Sequence, residues 1–236
     1  MKIREKMGLK AFWEGFFDEK DGKPLPYKHI KIYNKLFQIN LMMISPEYSL
    51  CYNEIEKFTL DLKSLPITEV VNKYLRSGEP FIFQERDDYF NLKKDIGLFF
   101  NVDHSKVYMI GSCKLGFSIN PSKLWGHVNE DSDIDIAIID EVLFDKIWKN
   151  LFDINIDMAL TSQMKKDDKA FHLFLDYLFR GWLRPDIFPF QSQEQKKIFE
   201  FTKSLYSRHQ RKVSVGIFKN EYFFTKYHEE NLKKIK

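Results

Sequence analysis

The sequence is short of cysteine and glycine and has no long apolar run. Two cysteines among 236 residues, Cys51 and Cys113, exclude a disulfide scaffold and match a reducing compartment. No stretch approaches the ~18 consecutive apolar residues that a membrane helix needs. The basic opening MKIREKMGLKAF is followed by neither an apolar stretch nor a small-residue cleavage site, so no secretory leader is expected. The expected setting is therefore the cytoplasm, without a membrane partner. The six histidines are scattered and show no zinc-ligand spacing. Glycine numbers only 10, about 4% against a usual ~7%, so each clustered glycine carries more information than usual.

What is present is a globular composition, 44% apolar and 30% charged, which excludes an intrinsically disordered chain. Aromatics are plentiful, with 23 Phe, 11 Tyr and 4 Trp. The net charge of +3 is unevenly spread: from Lys203 onward nine Lys/Arg face three Glu, or +6, leaving 3 − 6 = −3 for residues 1–202. A basic tail on a slightly acidic body points to an anionic partner such as a phosphate-bearing ligand; a solvated basic helix face explains it equally well.

Periodicity divides the chain. Residues 1–65 form an accessory region containing the turn-rich linker Asp18–Pro26, with a strand expected around Leu36–Ile44; residues 66–236 form the main domain. Val70, Val71, Tyr74 and Leu75 fall at helical spacing, and Ser77-Gly78 with Pro80 ends that helix. Asp87 or Asp88 is expected to cap a second helix with Tyr89, Leu92, Ile96 and Phe99 inward. Val107–Ile110 and Ile134–Ile139 read as strands, and Asp140 as the cap of a helix carrying Val142, Ile147, Trp148 and Leu151. A third strand is expected at Ile154–Leu160, helices at about 168–183 and 194–207, a strand at Val213–Phe218 and a closing helix at Tyr222–Ile235. The class is α+β, with a short mixed sheet flanked by helices.

The chemistry concentrates between Val107 and Asp140. Asp133 and Asp135 open an isoleucine strand, and side-chain alternation puts both on one face, about 6–7 Å apart along the strand. Two acids so placed can share a divalent cation or bridge two. Hard oxygen ligands without a nearby His or Cys favour Mg²⁺ or Mn²⁺ over zinc. Upstream, Gly111-Ser112 follows a strand and is succeeded by Lys114 and Gly116. Glycine permits close backbone approach to an anion, and the Ser112 hydroxyl adds a donor. Either motif alone has an ordinary explanation, a surface strand start or a plain turn. Together they describe a phosphate cradle beside a metal site.

At these residues the chain resembles the nucleotidyltransferase superfamily that includes DNA polymerase β, the minimal nucleotidyltransferases and the cGAS-like enzymes, whose hallmark is a Gly-Ser turn followed by an acidic pair on the next strand. The match covers roughly residues 105–160. The resemblance implies a nucleotidyltransferase-like sheet, with Gly111, Ser112, Lys114 and Gly116 near the phosphates of a nucleoside triphosphate such as ATP. Asp133 and Asp135 would bind the Mg²⁺ or Mn²⁺ ions that promote attack by a hydroxyl acceptor on a nucleotide, RNA, protein or small molecule. It also implies a third acid on a later strand, for which Asp157 is the candidate; if Val213–Phe218 is the matching strand, none of its residues is acidic and the triad is incomplete. The alternative function is then a catalytically degenerate module of the same fold that binds nucleotide, RNA or a partner protein, the last through the N-terminal region. Stand-alone members of the superfamily often sit in toxin or defence systems. The spacing departs from compact members: twenty residues separate Ser112 from Asp133, and the excess, 118–131, is expected to form a loop over the site.

The remaining residues of interest carry weaker expectations. Cys113 reads as a buried, inert thiol. His127 and Asn129 are either substrate contacts or ordinary loop polarity. Trp182 and Arg184 read as packing and a helix stop ahead of base stacking. Arg208, Arg211, Lys212 and Lys219 flank the last strand as a nucleotide-binding edge or a plain charged border.

Overall fold

The computed structural model describes residues 46–83, 85–157, 169–188 and 193–236. The expected strand at 36–44 lies outside them, as do residues 158–160 of the one expected at 154–160. The chain divides into two compact units, Met1–Asn53 and Glu54–Lys236, and helix α1 (Pro46–Ser64) spans that boundary. There follow α2 (Ile67–Val71), which widens into a π-helical turn at Asn72–Arg76, then α3 (Arg86–Phe100), β1 (Val107–Ile110), the one-turn α4 (Gly111–Leu115), β2 (Ile134–Ile139), α5 (Glu141–Asp157), α6 (Lys169–Phe179), β3 (Trp182–Leu183), α7 (Gln193–His209), β4 (Val213–Phe218) and α8 (Glu221–Lys233). The class is α+β. No helix among the described residues is long and apolar enough to cross a membrane.

The four strands make one open mixed sheet in the order β1-β2-β4-β3. β1 runs antiparallel to β2, β2 parallel to β4, and β3 antiparallel to β4. Alternation gives the sheet two unlike faces. Ile134, Ile136 and Ile138 join Val107, Met109, Val213, Val215 and Ile217 on a fully apolar face packed with residues of α3, α5 and α7. On the opposite face, Ala137 and Ile139 stand beside Gly216 and Phe218. There Trp182 stacks on Phe218 at 5.2 Å and Phe224 of α8 meets it edge-on at 5.2 Å. Burying each such ring contributes roughly 1.5–3 kcal/mol.

Several helix expectations shift by part of a turn. Glu85, not Asp87 or Asp88, occupies the N-cap of α3, and the two aspartates lie in its first turn, where the helix dipole still favours them. Its inward residues are Leu92, Ile96 and Phe100, in steps of four, while Phe99 is left 39% exposed. In α5 Asp140 does cap, its Oδ1 accepting from Leu143 N at 2.7 Å. The buried stripe there is Leu143, Phe144, Ile147 and Leu151, and Val142 and Trp148 face outward. The helix expected over 168–183 ends at Phe179, and Trp182–Leu183 pairs with β4 instead.

The largest correction concerns Ile154–Asp157. This stretch is the last turn of α5, not a strand. Its apolar–polar alternation imitates a strand, yet Ile154 also continues the three-and-four spacing of Ile147 and Leu151. A helix already capped and running extends more readily than a new strand starts. The strand that lies parallel to β2 is β4.

Candidate functional site

The site forms where β1 ends against the start of β2. Ile110 pairs with Asp135 across the antiparallel ladder, so the residue after Ile110 turns directly over the Asp135 side chain. That residue is Gly111, with φ +73°, and a Cβ on it would lie 2.6 Å from Asp135 Oδ2. Both the left-handed backbone and the close approach require glycine. Asp133 precedes β2 by one residue and shares the Asp135 face by alternation. The Gly-Ser bend therefore meets Asp135, the second acid of the pair.

Electrostatics around the pair are asymmetric. Burial pushes the Asp135 carboxyl above its usual range, and the Asp133 charge adds to the rise. The hydrogen bond from Ser214 Oγ to Asp135 Oδ1, at 2.6 Å, and the charges of Arg184 and Lys212 oppose it. Asp133 is more open, its side chain 42% exposed, with Lys212 Nζ 3.5 Å from Oδ2. Arg211 sits behind the pair, its guanidinium donating to the carbonyls of Asn129, Glu130 and Ser132. It thereby fixes the approach of the chain into Asp133. The Ser112 hydroxyl has no hydrogen-bond partner among the described residues and remains available as a donor.

Ser214 is the residue that sequence reasoning passed over. It stands opposite Asp135 in the parallel register, where the resemblance leads one to look for a third acid. Asp157 ends α5, and no group of three His, Cys, Asp or Glu among the described residues is placed to hold a metal ion. Two carboxylates still fit Mg²⁺, which commonly takes one or two protein carboxylates and completes its shell with water and substrate phosphate. The raised carboxyl of Asp135 is consistent with a group that gains from a cation beside it.

Lys114 and Gly116 serve other purposes. Lys114 is 6% exposed, donates to Gly78 O, and has its ammonium pushed down to about 8 by burial. It is spent tying the bend to the Ser77-Gly78 turn rather than reaching toward Asp133. Gly116 ends α4 at φ +87°, where a Cβ would meet Phe81 at 2.6 Å. Cys113 is buried, and desolvation raises its thiol to about 11, which makes it inert. In the 118–131 loop, Phe117 bridges to His127, the His127 ring meets Val128 O at 2.7 Å, and Asn129 Oδ1 accepts from Asp131 N and Ser132 Oγ. These polar residues shape the loop itself.

The basic border is mostly committed to structure. Arg208 pairs with Asp95, Arg211 clamps the loop, and Lys219 pairs with Asp145 and Glu141. Arg184 makes a two-pronged bond to Asp186 and lies over the Tyr177 and Trp182 rings. Lys212, 73% exposed, is left beside Asp133. Adjoining Ser214 and Lys212 is a cleft of about 380 Å³ lined by Pro185, Asp186, α7 and the first half of β4. In comparisons with known proteins, no family model, no curated protein and no solved structure matches this chain.

Proposed function

We propose that this protein binds a nucleoside triphosphate with Mg²⁺ and transfers its nucleotidyl group to a hydroxyl acceptor. The observation that supports this reading is the approach of the Gly111 backbone onto the Asp135 carboxylate. Asp133 and Asp135 would hold the ion, whose chemistry when bound is to neutralise charge on the reacting phosphate and to increase the acidity of the attacking hydroxyl. Gly111 lets the bend close onto the Asp135 carboxylate, which any Cβ would push aside. The Ser112 hydroxyl would donate to a phosphate oxygen. Ser214 orients Asp135 by holding one of its oxygens, leaving the other turned toward the bend. Lys212 lies within reach of both Asp133 and an incoming phosphate.

A second reading, a degenerate module that binds nucleotide, RNA or a protein without turnover, is favoured by one specific feature: a serine stands opposite Asp135. Incubation with each labelled nucleoside triphosphate, Mg²⁺ and a range of hydroxyl acceptors separates the two. Transfer with release of pyrophosphate, lost in the Asp133→Ala/Asp135→Ala variant, supports the enzyme. Metal-dependent nucleotide binding without release supports the module. Turnover unchanged in the double variant overturns the assignment of the acids.

A further inference from the structure

β3 is only two residues long and pairs with Ile217 and Phe218, so among the described residues no strand pairs with the first half of β4 on that side. The bond from Ile134 N to Lys212 O, together with the parallel register, directs the backbone groups of Lys212, Ser214 and Gly216 toward β2. Those of Val213 and Val215 therefore face the opposite way, into the cleft of about 380 Å³. A strand edge of this kind offers N–H donors and C=O acceptors in alternation. Phe199 and Tyr206 line the same cleft, 46% and 50% exposed. They stand two helical turns apart on α7, with Lys203 between them, and have no ring partner among the described residues. At the end nearest the acids lie Lys212 and Ser214.

We infer that this cleft binds the nucleoside part of a nucleoside phosphate. The base rests on the Phe199–Tyr206 platform, with its hydrogen-bonding edge against the Val213 and Val215 backbone. The phosphate lies between Lys203 and Lys212, directed at Asp133. The volume suits a small ligand, since such pockets run from about 300 to 1,000 Å³. Exposed rings flanked by lysines match a planar base carrying an anion, whereas an extended peptide would use the edge but have no need of the lysines. The inference rests on the nucleotidyl-transfer reading for its orientation toward Asp133, although the cleft is built from other residues.

The test is equilibrium binding of nucleoside mono- and triphosphates to the full chain, with inorganic triphosphate as the control, followed also through the amide resonances of ¹⁵N-valine-labelled protein. Phe199→Ala/Tyr206→Ala is expected to weaken nucleoside phosphates at least about tenfold while leaving inorganic triphosphate unchanged. The Val213 and Val215 amides should shift with nucleotides only. A triphosphate preferred in Mg²⁺ and weakened by Asp133→Ala identifies the donor nucleotide. A monophosphate bound equally well without metal identifies the acceptor. Either outcome supports the cleft. Nucleotide binding with those signatures but no pyrophosphate release would count against catalysis and leave the cleft standing. Nucleotide affinity unchanged in the double variant, silent valine amides, or saturation by an extended peptide in place of a nucleotide would overturn it.

Discussion

The two ends of the β2–β4 strand pair use the same backbone for opposite purposes. At the far end Gly216 and Phe218 lie against Trp182, Phe224 meets the Phe218 ring edge-on, and Ala137 and Ile139 are buried beside them. At the near end the same face carries Asp135 and Ser214, preceded by Asp133 and Lys212. Only two residues along each strand separate a packed end from a charged one. The packed end supplies the rigidity that lets the charged end hold two like charges close to a bend, an arrangement that disfavours folding unless something binds there.

Substitutions at the two ends should accordingly separate stability from activity. Phe218→Ala empties the packed end and is expected to cost ~3–5 kcal/mol, read as a lower urea midpoint. Asp133→Ala/Asp135→Ala should reduce pyrophosphate release at least about a hundredfold, the scale of losing a charge-stabilising group, without lowering the urea midpoint. If both variants lose stability alike, the division between the ends does not hold. Gly111→Ala combines the two effects. It forces an L side chain to φ +73° against a carboxylate at a cost of ~1–2 kcal/mol, and it should weaken triphosphate binding beyond what the stability loss explains.

Two pH effects sharpen the comparison. His228, in the packed end beside Phe218 and Phe224, is pushed down to about 3 by burial from an ordinary 6.5, and its Nε2 has no hydrogen-bond partner among the described residues. The unfolded chain therefore takes up this proton first. Stability conferred by neutral His228 is intact above pH 6.5 and lost as the pH falls toward 3, by at most ~1.4 kcal/mol per pH unit. Chemical denaturation of His228→Leu across that window should show a shallower fall. Asp135 has the opposite sign. A carboxyl raised in the folded state disfavours folding once ionised, and the penalty fades as acidification protonates it. Asp135→Asn should thus raise the melting temperature slightly at pH 7, and the gain should shrink as the pH approaches the carboxylate range.

The legible parts of the site were those whose chemistry is local. Gly111-Ser112 and Asp133-x-Asp135 each lie within a few residues, and the antiparallel partnership of β1 and β2 brings them together with no distant contribution. Ser214 was hidden because a serine means little until the parallel register sets it opposite Asp135, 79 residues away. Asp157 misled because its surroundings satisfy both the strand period and the helix period, and only the continuation of α5 decides between them. Lys114 looked like a phosphate ligand by proximity to the bend. Its direction is set by the turn at Gly78, which no local pattern announces. The cleft beside β4 was equally unreadable, because it lies where the two-residue β3 stops pairing with β4.

The central claim is that Asp133 and Asp135, set against the Gly111 bend, hold a divalent cation together with a nucleoside triphosphate. Electron paramagnetic resonance titration of Mn²⁺ with a non-hydrolysable triphosphate, in the parent chain and in Asp133→Ala/Asp135→Ala, measures this directly. Triphosphate-dependent Mn²⁺ binding by the parent chain, weakened at least about tenfold in the variant, is the expected result. Identical binding by both proteins, or none by the parent chain, would contradict it.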